Sequence, residues 1–132
     1  MDTARSEHIN CSLAQPRDAQ RLAKMSRDLI ERGHGWSWQA PRIARSIRAN
    51  DSVVLCASSS LTSTRLEPAK DTGAKLMGFA IMEFNERHAH LNLLAVAPEF
   101  RRKGVARTLL EWLEKSAMVA GIEQISLEVR AQ

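Results

Sequence analysis

Residues 93–108, LLAVAPEFRRKGVART, constrain this chain more than any other stretch. Leu93, Leu94, Ala95 and Val96 form an apolar run with strand character that stops at Ala97-Pro98. After a short turn, Arg101, Arg102 and Lys103 add three positive charges, and Gly104 opens a helical segment. A helix start leaves about four backbone N–H groups without intrahelical partners and carries a partial positive charge. Gly104 has no Cβ, so an anion can approach the main chain closely there. Strand, basic turn, glycine and helix in that order describe a cradle for a pyrophosphate. An ordinary basic turn ahead of a helix is the competing reading of the same residues.

The other elements build one domain around that stretch. At 132 residues and 44% hydrophobic, the chain can bury a core of its own, so residues 1–132 read as a single domain. Residues 9–13 read as a first strand. Pro16 suits the opening turn of a helix, where its missing N–H costs nothing. Ala19, Leu22, Met25, Ser26 and Leu29 then recur at three- and four-residue spacing, and Gly33 marks a stop. A loop carrying Trp36 and Trp38 leads to a second helix over residues 41–49, with Ile43, Ala44 and Ile47 inward and Arg42, Arg45 and Arg48 outward.

Residues 52–57 are apolar and β-branched, as in a strand, whereas residues 58–74 have no periodicity and predict a mobile loop. Residues 75–84 are apolar on both faces, like a central strand, and Gly78 marks a bulge or a close backbone approach. A turn at residues 85–86 leads into a strand over residues 87–96. Val105, Leu109, Trp112, Leu113 and Ala117 make one stripe of a long helix ending at Gly121. In the last strand Ile125, Leu127 and Val129 alternate with Ser126, Glu128 and Arg130.

A net charge of +4 suits an anionic ligand or partner, though a merely basic surface explains it equally well. Cys11 and Cys56 both sit in strand-like runs without metal-ligand spacing, and two buried free thiols are expected. Residues 1–10 contain Asp2, Glu7 and His8 and no apolar signal-peptide core, and no run nears the ~20 residues of a membrane span, so a cytoplasmic protein away from membranes is expected. His88 and His90 share one side of a strand, but with no third ligand in view no metal site is expected. RNA binding through Arg42, Arg45, Arg48, Arg101 and Arg102 lacks interleaved aromatics and is the weakest reading.

Residues 93–131 resemble the acyl-CoA-binding segment of the GCN5-related N-acetyltransferases, the GNAT superfamily, whose motif is Gln/Arg-x-x-Gly-x-Gly/Ala. Arg101, Gly104 and Ala106 match it, and the likeness continues through Leu109-Leu110-Glu111, Gly121-Ile122 and the run from Ile125 to Ala131. Within the superfamily that run is most similar to the ribosomal-protein alanine N-acetyltransferases. The N-terminal half agrees in its order of elements, β-α-α-β-β-β-α-β. The resemblance implies an α+β, three-layer α/β/α fold with a mixed, largely antiparallel central sheet that lacks the last strands.

It also implies acetyl-CoA as co-substrate. The main chain of Lys103, Gly104, Val105, Ala106 and Arg107 would cradle the pyrophosphate, with Arg101, Arg102 and Lys103 adding charge. Leu94, Ala95 and Val96 would hold the acetyl and pantetheine portion through an incompletely paired strand. Glu128, in Leu127-Glu128-Val129-Arg130, matches the glutamate that serves these enzymes as general base. Trp36 and Trp38 lie where related enzymes bind the acceptor, and capping of the core is their alternative role.

The family's acid, a tyrosine in Asn-x-x-Ala-x-x-Leu-Tyr, has no counterpart before Gln132, and the chain contains no tyrosine. Two functions follow as expectations. One is transfer of acetyl to a primary amine, a protein or peptide N-terminus. The other is a truncated CoA-binding or interaction module with little turnover. With an open edge on the last strand, either a homodimer through that C-terminal strand, by edge pairing or strand exchange, or low stability is expected.

Overall fold

The computed structural model describes residues 8–30, 35–60, 75–85, 88–119, 121 and 124–127. Five strands, β1 (His8–Leu13), β2 (Ser52–Ser60), β3 (Leu76–Asn85), β4 (His88–Val96) and β5 (Gln124–Leu127), form one sheet in sequence order. The first four are antiparallel and β5 runs parallel to β4, as a strand must when it returns through a helical crossover. Helices α1 (Ala19–Leu29) and α2 (Ala40–Arg48) cover one face and α3 (Val105–Val119) the other. The α+β, three-layer arrangement expected from the sequence is the one observed.

Two cores result. Leu22, Ala23 and Ile43 pack against Val54, Phe79, Ile81, Leu93 and Ala95 on one face. Leu109 and Leu113 pack against Leu55, Met82, Ala89 and Leu91 on the other. α1 follows a 3-10 turn at Pro16–Asp18, where the Asp18 carboxylate accepts the Gln15 N–H at 2.8 Å and pairs with Arg21 at 3.2 Å. α2 carries Pro41 in its first turn and ends at Arg48, because Ala49 turns extended with a ψ of 144°.

Two bulges break the ladders. Ala57 pairs with Gly78 and Ser58 with Leu76, which leaves Met77 as the extra residue of β3. Ile81 pairs with Leu93 and Met82 with Leu91, which leaves Asn92 as the extra residue of β4. A Cβ on Gly78 would run into the Ala95 carbonyl oxygen and lie 3.2 Å from Val96 Cα. Gly78 therefore marks both a bulge and a close approach.

The sequence reading needs one correction, at Ser58, Ser59 and Ser60. They continue β2 instead of opening a loop, because β1 pairs with them: Asn10, Ile9 and His8 are their partners. The Ser59 N–H also donates to the Lys75 carbonyl at 2.9 Å, and the Lys75 N–H to Ser59 Oγ at 3.2 Å. Partners on both sides outweigh the low strand propensity of serine. The remainder of that expected loop, 61–74, lies outside the described residues, as do Gly33 and His34.

Candidate active site

The site forms where β4 ends and α3 begins. Alternation in an antiparallel ladder fixes which main-chain groups face which neighbour. The Ala97 N–H donates to the Met77 carbonyl at 2.8 Å, so Ala97, and two residues earlier Ala95, turn their amides toward β3. Leu94 and Val96 turn theirs to the opposite edge. The described pairing of β5 with β4 runs from His88↔Gln124 to Leu91↔Leu127 and goes no further. Beyond Leu91, the amides of Leu94 and Val96 thus face an edge with no strand on it among the described residues. The Val96 carbonyl accepts Arg101 Nε at 3.3 Å.

That contact folds the basic turn back along the strand. A 3-10 turn at Pro98–Phe100 reverses the chain, anchored by Phe100, which is 7% exposed in the α3-side core. Arg102 (φ 66°) and Gly104 (φ 86°) both adopt the left-handed conformation, and this kind of turn gathers successive N–H groups into an anion-binding concavity. The first bond of α3 runs from the Thr108 N–H to the Gly104 carbonyl at 3.0 Å. The N–H groups of Val105, Ala106 and Arg107 precede it and have no intrahelical acceptor. A Cβ built on Gly104 meets nothing within 4 Å, so the space beside it is open. Arg102 and Lys103 are exposed there, and Lys103 also lies 6.0 Å from the Phe100 ring centroid. Helical N–H groups without intrahelical acceptors and exposed cationic side chains at the end of β4 together fit an anionic ligand such as the pyrophosphate of CoA.

The two tryptophans pack on the α1–α2 side. Trp38 is 7% exposed in the core, with the Arg42 guanidinium 3.7 Å from its ring centroid. Trp36 donates its indole N–H to the Ala23 carbonyl at 3.2 Å, and Arg27 lies 5.3 Å from its ring. Both rings therefore pack on the core, Trp38 buried and Trp36 half-buried.

Glu128 lies outside the described residues. Its neighbour in sequence, Leu127, is the last residue of β5 and pairs with Leu91. His88 and His90 share a polar pocket of about 550 Å³ with Asp51, Glu83 and Asn85, among the first residues of β4. No group of three or more His, Cys, Asp or Glu among the described residues converges on a metal position. Asn92 escaped the sequence reading, although a polar residue inside Leu91-Asn92-Leu93-Leu94 was the available signal.

The two cysteines are free and belong to different cores, Cys11 to the α3 side and Cys56 to the α1–α2 side. Cys56 is buried as expected, whereas Cys11, on the outermost strand, is only half-buried. Burial pushes the Cys56 thiol up to about 12, reinforced by Asp18, and also raises Cys11.

Comparison with known proteins agrees with this geometry. The profile of the acetyltransferase (GNAT) family matches residues 26–132. An aminoglycoside N-acetyltransferase, AAC(6')-Iy in complex with CoA, superposes with a TM-score of 0.70 at 16% identity, over 94% of this chain and 78% of that one. The ribosomal-protein-S18-alanine N-acetyltransferase of Escherichia coli gives 0.64 at 22% identity, over 95% and 69% of the two chains. The PaiA N-acetyltransferase of Thermoplasma acidophilum, in complex with coenzyme A, gives 0.67 at 20%, over 91% and 78%. The chain belongs to the acetyltransferase (GNAT) family. It is thus an N-acetyltransferase that uses acetyl-CoA as co-substrate. No helix among the described residues is long and apolar enough to cross a membrane.

Proposed function

We propose that the chain moves an acetyl group from acetyl-CoA to the free N-terminus of a protein or peptide, with Glu128 as general base. The observation that carries the reading is that the end of β4 and the start of α3, whose first N–H groups lack intrahelical acceptors, fall at one end of the sheet. The first gives Leu94 and Val96 main-chain groups to an extended pantetheine, and the second gives Gly104, Val105, Ala106 and Arg107 to its pyrophosphate. Bound there, acetyl-CoA supplies an activated thioester. The acceptor ammonium must lose its proton before nitrogen forms the C–N bond and the C–S bond breaks. A carboxylate at position 128 can take that proton, a contribution of typically ~10²–10⁴-fold. The departing CoA thiol, with a pKa near ~8.5 like that of cysteine, is a tolerable leaving group.

The protein N-terminus is favoured as acceptor by the Leu127-Glu128-Val129-Arg130 run, the part most similar to the ribosomal-protein alanine enzymes. Acetylation of a peptide with a free N-terminal alanine, set beside an aminoglycoside at equal concentration, tests the acceptor. Glu128→Gln should cut peptide turnover at least tenfold and leave CoA affinity unchanged. A parent chain that binds CoA yet acetylates neither acceptor would be a CoA-binding module. Equal turnover by the parent and Glu128→Gln would reduce Glu128 to a surface residue.

A further inference from the structure

The outer flank of α3 has no use in the chemistry described above, yet it holds most of the exposed large apolar surface. Trp112 is 45% exposed, Met118 73% and Val119 88%; of the large hydrophobic side chains exposed among the described residues, only Leu13 lies elsewhere. Trp112 and Val119 line a groove of about 760 Å³ with Thr108, Glu111, Lys115 and Ser116, floored by Val53 and Phe84 from the sheet. Its hydroxyls are already spent within the helix: Thr108 donates to the Gly104 carbonyl at 2.8 Å and Ser116 to the Trp112 carbonyl at 3.1 Å. What remains for a partner is apolar surface and one charge of each sign. Neither Glu111 nor Lys115 has an ion-pair partner among the described residues.

We propose that this flank is the contact face between two copies of the chain, packed α3 against α3 in antiparallel fashion about a two-fold axis at the level of Leu113. The charge pattern selects this occupant and this orientation. Glu111 stands two residues before Leu113 and Lys115 two after, so a two-fold axis sets each glutamate opposite its partner's lysine, twice over. Parallel packing would set glutamate against glutamate and lysine against lysine. The same axis carries Met118 over the Thr108 end of the partner's groove and brings the two Trp112 rings close to the centre, where an interface places its large aromatic anchors. This contact is separate from pairing through the edge of β5.

Sedimentation equilibrium over a concentration series decides it, on the parent, Glu111→Lys, Lys115→Glu, the double reversal and Trp112→Ser. A CoA titration of each variant confirms that it is folded. The parent should dimerise. Each single reversal should raise the dissociation constant by about tenfold, because it replaces two attractive pairs by two repulsive ones. The double reversal should restore the parent value, and Trp112→Ser should leave a monomer. A parent that stays monomeric at every concentration overturns the proposal. So does a dimer that ignores all four variants, which would assign self-association to the strand edge instead.

Discussion

Gly104→Ala probes the cradle, provided backbone strain is separated from loss of the ligand site. Gly104 has φ 86°, and an alanine held there costs about 1–2 kcal/mol of stability. Gly121, beyond the other end of α3, has φ 83°, and a Cβ there likewise meets nothing within 4 Å. Gly121→Ala thus carries the same strain with no cradle to fill, and the two variants should lose similar stability in urea unfolding. Only at Gly104 does the added methyl stand next in sequence to the N–H groups of Val105, Ala106 and Arg107 that open α3. Calorimetric titration with CoA should show at least a tenfold loss for Gly104→Ala, about 1.4 kcal/mol, with Gly121→Ala within twofold of the parent. The bulkier Gly104→Val should exaggerate the difference. If both variants bind CoA like the parent, or weaken in parallel, the turn is not the pyrophosphate site.

Other changes give distinct readouts. Gly78→Ala drives a methyl into the Ala95 carbonyl, backbone against backbone, and should lower the unfolding free energy by about 1–3 kcal/mol while weakening CoA binding through the displaced edge of β4. Arg102→Gly relieves the left-handed φ of 66° and should be neutral or stabilising by up to about 1 kcal/mol, yet lower CoA affinity by removing a charge; equal affinity would show that Arg102 points elsewhere. Leu109→Ala empties a fully buried position and should cost ~2–5 kcal/mol in denaturant unfolding. The folded chain keeps the Cys56 proton up to about pH 12, whereas the unfolded thiol releases it near ~8.5, so the folded state holds more protons between those values. Stability should therefore fall as pH rises through that window, by up to ~1.4 kcal/mol per unit, and Cys56→Ala should flatten the fall.

What was legible in the sequence followed from local chemistry. The turn before α3 declared itself because charge, glycine and the change from strand to helix period coincide within residues 93–108. The helices were visible from periodicity and their prolines, and Gly78 from its place in an otherwise unbroken apolar run. What escaped depends on partners distant in sequence. Three serines join β2 because β1 lies beside them, although nothing in Ser58-Ser59-Ser60 favours a strand. Arg42 belongs to the outward face of α2 by periodicity, yet it folds over Trp38, which only the path of the α1–α2 connection allows. Arg101 matches the motif, and the hydrogen bond from its Nε to the Val96 carbonyl, which folds the turn back along β4, is visible only in the structure.

The bulge at Asn92 ties the two halves of the site together. Before it, the Phe84 N–H turns to β2 by donating to the Asp51 carbonyl at 2.8 Å. Its partner Ala89, and likewise Leu91 opposite Met82, then turn their amides away from β3 and toward β5. Continued without interruption, that alternation would assign the outer edge to Leu93 and Ala95. The extra residue shifts it by one, so Leu94 and Val96 face the edge, while Leu93 and Ala95 move from the α3-side core to the α1–α2 side. One inserted residue thus turns the amides of Leu94 and Val96, and not those of Leu93 and Ala95, toward the outer edge of β4. Ala89, Leu91, Leu93 and Ala95 are all buried, because two cores, one on each face, receive them in turn.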